Sequence, residues 1–183
     1  MTLENIEDGD PMRVYKEANQ IDMFLGITVN NIRVGLLAFA LGIFAGLGTF
    51  YIAVQNAVML GSFQYFFADH DLLWESARTI WIHGTIEISV IIVCTCAGLV
   101  LGKSMLMPGT YTRYQSFIHG IKDALKIVVS TIPFFIIAGF LEGFVTRLTG
   151  MPDFLALLII GSSFSLILFY YVIYPHQINK RKV

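Results

Sequence analysis

Long charge-free apolar runs are the feature that most restricts what this chain can fold into. A helix rises 1.5 Å per residue, so about 20 apolar residues cover the roughly 30 Å of a bilayer's hydrocarbon core. Four such runs stand between charged markers. The first follows Arg33 and continues through VGLLAFALGIFAGLGTFYIAV to Gln55 and Asn56, with no charge until Asp69. The others lie between Arg78 and Lys103, between Lys126 and Arg147, and between Asp153 and His176. With 56% hydrophobic and only 14% charged residues in 183, the chain has the composition of an integral membrane protein. The expected fold is all-α: a polytopic membrane helical bundle of about four transmembrane helices plus short interfacial helices. Its spans fall near 34–56, 79–102, 126–147 and 154–175, within a bundle over 29–176.

Lysine and arginine set the expected orientation, because cytoplasmic flanks retain positive charge during insertion. Four spans put Arg13, Lys16 and Arg33 on one side with Lys103, Arg113, Lys122, Lys126, Lys180, Arg181 and Lys182, leaving Arg78 and Arg147 opposite. Both termini are then cytoplasmic in a multi-pass protein of the inner (plasma) membrane, with 177–183 a basic tail. Residues 1–28 read as a cytoplasmic segment without a cleavable leader. Within it, Val14, Ala18, Ile21 and Leu25 recur at helical spacing, as an amphipathic helix at the membrane face requires. The stretch GSFQYFFADHDLLWESARTI between the first two spans reads as an aromatic belt at the outer interface. A net charge of −1 gives no basic field for nucleic acid.

Small residues recur four apart at Ala38, Gly42 and Gly46, at Cys94, Gly98 and Gly102, and at Gly139 and Gly143. In lipid such stripes let helix backbones approach, and they are compatible with intramolecular packing or a homo-oligomer. Cys94 and Cys96, two apart in a helix, point to different faces and do not suit a disulfide. His119 and Asp123, one turn apart, read as a solvated helix face, and Pro133 as a possible kink in the third span.

Ionisable residues inside the spans cost too much to be incidental. An ionised carboxylate at a helix centre costs on the order of 2.5–3.5 kcal/mol on insertion scales. His83 and Glu87 are i and i+4 in the second span, and so share a face. Glu142 stands as far inside Arg147 as His83 stands inside Arg78, which puts the two at matched depth on antiparallel helices. A polar cluster of His83, Glu87 and Glu142 is expected, serving either as an interhelical clamp or as a site. The three could supply metal ligands, but one histidine and no HExxH motif leave a metal or other cofactor unexpected. No nucleophilic triad or Walker motif can be assembled, so an enzyme is not expected.

The pair HGTIE and AGFLEGFVT, with IEDGDPMRVY and NNIRVGLLAFALGIFAG, resembles the stage II sporulation protein M family over most of the chain. The motif positions are His83, Gly84 and Glu87, then Gly139, Glu142, Gly143 and Thr146. The resemblance implies a non-enzymatic membrane component. In spore formers such proteins hold peptidoglycan hydrolases at the septal membrane, and relatives occur widely outside spore formers. A scaffold or accessory subunit of a cell-envelope complex is therefore expected, with membrane lipids and other envelope proteins as partners. The alternative is a proton-coupled transporter or lipid-handling protein that uses the intramembrane His and Glu residues.

Overall fold

The computed structural model describes residues 5, 6, 8, 9, 13, 19–148 and 150–181. Helix α1, Gln20–Ala40, is started by Asn19, whose side chain accepts from Ile21 N at 2.9 Å and satisfies a free first-turn donor. It tightens into a 3-10 turn at Leu41–Ile43 and then stops. Ala45 and Gly46 both take positive φ, 55° and 83°, which reverses the chain. Helix α2, Leu47–Asp69, runs back along the bundle, and α3, Leu73–Leu106, follows after a short turn. Thr112 opens α4, Arg113–Phe140, with a reciprocal capping box to Gln115. A π-helical turn at Leu141–Val145 extends α4. Helix α5, Asp153–Leu168, passes through a second π-turn at Phe169–Ile173 into α6, Tyr174–Arg181. There is no strand among the described residues.

Four of these segments are long and apolar enough to cross a membrane: Gln20–Ile43, Leu73–Leu106, Arg113–Val145 and Asp153–Lys180. The expected first span, 34–56, is instead two helices broken at 44–46. The sequence carries no charge or proline at that break, so nothing in the composition marked it. The aromatic stretch expected along the outer interface is largely the second half of α2. Of the proposed amphipathic helix, Val14 and Ala18 lie outside the described residues, while Ile21 and Leu25 are exposed on α1.

Glycine contacts fix how the helices pair. A side chain at Gly42 would meet the Gly98 carbonyl, and one at Gly102 would meet the Gly46 backbone, so α1 and α3 touch backbone to backbone near the Lys103 end. Gly139 and Gly143 give room to Thr28 and Phe24, bringing the end of α4 against the start of α1. The core between them holds Ile86, Val90, Cys94, Phe134, Phe135, Ala138 and Ile167. Cys94 is buried and Cys96 exposed, both as free thiols. Arg78 at the start of α3 pairs with Asp153 at the start of α5, and Tyr171 donates to the Ser130 carbonyl at 3.1 Å farther along.

These contacts order the path. Five helices traverse the bundle in alternation, so the start of α1 and helix α6 lie at opposite ends. His119 and Asp123 are exposed, and Asp123 pairs with Lys126 at 3.0 Å, as a solvated face does.

Candidate functional site

His83 and Glu87 occupy one face of α3, and Glu142 reaches them from the π-turn that ends α4. The His83 Nε2 to Glu142 Oε2 distance is 3.7 Å. One ligand atom from each of His83, Glu87 and Glu142 lies within 4.8 Å of the others. The other imidazole nitrogen, Nδ1, is 3.0 Å from Thr146 Oγ1, which fixes the ring's orientation. Glu142 and Thr146 address the same histidine because the turn between them is π-helical, closed by Thr146 N to Leu141 O at 2.8 Å. Such turns hold an extra residue and shift the face that follows, and they recur at functional sites.

Above this cluster lies a cavity of about 710 Å³ between α1, α2 and α3. It exists because α2 meets the core only near its two ends, where Thr49 and Phe67 are its buried residues. Thr49 Oγ1 donates to the Ala38 carbonyl at 2.7 Å, and Phe67 packs with Met23 and Leu72. Between these anchors α2 stands away from α3. Asn31, Asn56 and Gln64 bring amides to the lining, alongside His83, Glu87 and Glu142. The Asn31 side chain hydrogen-bonds Glu87, and the Gln64 side-chain nitrogen has no hydrogen-bond partner among the described residues. Gly84 also lines the cavity, and a Cβ there would meet only Ile80 and Ile88 of its own helix at ordinary contact distance. The cavity reaches the outer surface beside the exposed Met59, Phe63, Trp81 and Ile92.

Every residue of the two sequence motifs thus has a place. His83, Glu87 and Glu142 converge, Thr146 orients the histidine, Gly84 leaves room, and Gly139 and Gly143 pack against α1. The seam glycines Gly42, Gly46, Gly98 and Gly102 lie away from the cavity, at α1–α3 contacts. The amides were not anticipated. Asn56 stands at the expected end of the first span, and the signal it offers is its spacing of two helical turns from Gln64 inside an uncharged run.

The model of the family described as stage II sporulation protein M matches residues 2–147. The chain belongs to that family. The matched residues include the whole cluster and every residue that lines the cavity, while α5 and α6 lie beyond them. An uncharacterized protein of Methanocaldococcus jannaschii is 28% identical over 138 residues, which cover 74% of this chain and 61% of that protein. The chain therefore spans about three fifths of that relative's length. No solved structure matches it significantly. With its four apolar helices of membrane-crossing length, this stage II sporulation protein M family member is a membrane protein.

Proposed function

We propose that the chain is a non-enzymatic membrane protein that receives the polar head of an amphiphilic molecule in the cavity beneath α2, with His83, Glu87 and Glu142 as its floor. The observation that carries this reading is the coincidence of costly polar groups with empty space. A clamp that only joined α3 to α4 would close on itself, whereas here the cluster borders about 710 Å³ of room. An amide donor at Gln64 borders the same room without an acceptor, and unmatched buried donors are costly. Apolar walls opening beside Met59, Phe63, Trp81 and Ile92 suit a hydrocarbon tail, while convergent polar groups suit a head. The test is native mass spectrometry of the protein extracted in mild detergent, beside a Gly84→Leu variant whose side chain occupies the cavity. The wild type should retain a bound amphiphile that the variant lacks. A wild type free of any adduct, or adducts equal in both, would sink the proposal.

A second reading, an accessory subunit of an envelope complex, is favoured by Arg33. That residue is exposed roughly midway along Gln20–Ile43. A lipid-facing arginine there costs on the order of 2.5–3.5 kcal/mol on insertion scales, a cost that a partner helix carrying an acceptor removes. Co-purification from native membranes should then lose its partner in Arg33→Leu. Unchanged co-purifying proteins would count against the subunit role.

A further inference from the structure

We infer that His83, Glu87 and Glu142 form a binding site for one divalent transition-metal cation of zinc or manganese type. The inference deepens the cavity reading and rests on it only for the open coordination position that faces the cavity.

One imidazole and two carboxylates form a mixed nitrogen and oxygen set that such cations accept. Bond lengths near 2.0–2.2 Å put the ligand atoms of a tetrahedral site roughly 3.4 Å apart. His83 Nε2 and Glu142 Oε2 already stand at 3.7 Å, and the remaining separations, at most 4.8 Å, close by rotation of the glutamate side chains. Charge argues the same way. Two carboxylates this close in a low-dielectric bundle cannot both stay ionised without a cation beside them; a proton relieves one of them, and a divalent cation balances both.

Two features outside the acidic pair point to a ligand. Metal-bound imidazoles characteristically have their second nitrogen held by a hydrogen-bonding group, which fixes the ring's orientation. His83 has this arrangement, with Nδ1 at 3.0 Å from Thr146 Oγ1 and Nε2 toward the carboxylates. The second feature is Asn31, 5% exposed on the cavity wall, whose side chain hydrogen-bonds Glu87 and so holds one of the ligand carboxylates in place. Sequence spacing undervalues this site because only two of its donors share a helix.

The test uses the full chain, purified in detergent, stripped with a chelator and titrated with Co²⁺ alone, followed by competition with Zn²⁺ and Mn²⁺. One equivalent of Co²⁺ should bind with a visible ligand-field spectrum distinct from that of the aquo ion, and either competitor should displace it. Glu87→Gln and Glu142→Gln should each weaken binding more than tenfold. Thr146→Val should weaken it by about 10- to 100-fold, with recovery in Thr146→Ser. If both glutamine variants fail to elute as folded protein, the threonine pair decides, because it leaves all the ligands in place. No saturable binding by the wild type, or equal binding by Thr146→Val and Thr146→Ser, overturns the site. Cation binding without a retained amphiphile supports this inference and defeats the cavity reading, and the reverse result defeats only the cation site.

Discussion

Gly84 and Gly139 stand in the two sequence motifs, yet they meet different surroundings. A methyl group on Gly139 would run into Thr28 Oγ1 and crowd the Phe24 carbonyl of α1, whereas one on Gly84 meets only Ile80 and Ile88 at ordinary contact distance. Overpacking typically costs about 1–3 kcal/mol, while replacing an interior helical glycine gains up to about 1 kcal/mol. Gly139→Ala should therefore lower the unfolding midpoint in detergent, and Gly84→Ala should leave it unchanged or raise it slightly. Equal losses in both would mean that Gly84 is a packing residue and that the space beside it is not free. The three ionisable members of the site were legible because the spacing of His83 and Glu87, and the matched depth of Glu142, follow from helix geometry. Asn31 was not, since an asparagine in an apolar run acquires meaning only when the neighbouring helix is known. Thr146 needed more still, because a π-turn that brings it round to His83 leaves no mark in an α-helical spacing.

Helix α2 departs most from the pattern of charges and hydropathy. The other three charge-bounded runs fall mainly on α3, on α4 with its π-turn up to Val145, and on α5 with its extension, because Arg78, Lys103, Arg147 and Asp153 bound those runs. Between Arg33 and Asp69 no charge interrupts the chain, and two helices were read as one span with a loop. The reversal rests on backbone torsions at Ala45 and Gly46, and glycines are common enough in membrane helices to give no warning. Two end anchors with a cavity between them should make α2 the least stable long element. Phe67, 1% exposed against Ile6, Met23, Phe66 and Leu72, is the anchor away from the reversal. Phe67→Ala should cost roughly 3–5 kcal/mol locally and raise amide exchange along α2 while sparing α3. Uniformly faster exchange through the bundle would show α2 to be integral to the core. Helix α4 offers a milder contrast. Removing its capping box by Thr112→Ala should cost about 1 kcal/mol of stability, read as a lowered unfolding midpoint, with retained ligand unchanged.

The course of α2 decides the topology of the whole molecule. If it crosses, as its 23 residues and its anchors at both ends of the bundle argue, the chain passes the membrane five times. The start of α1 then shares a side with Arg78, Arg147 and Asp153, and α6 shares the other with Lys103, Arg113, Lys122 and Lys126. Retention of positive charge makes the Lys103 side cytoplasmic. The start of α1 is then outside, on the side with fewer flanking Lys and Arg residues even when Arg13 and Lys16 are counted with Arg78 and Arg147. Single cysteines on a background in which Cys94 and Cys96 are replaced by alanine can test this with a membrane-impermeant maleimide. Asp22→Cys and Asp69→Cys should label from outside intact cells, and Phe44→Cys and Thr110→Cys only after the membrane is opened. Four crossings with a span over 34–56 give a different set: Phe44→Cys shielded by lipid in both conditions, and Asp22→Cys reached only from the cytoplasm. That result would place the α1–α2 reversal inside the bilayer, and α2 would not be a separate crossing.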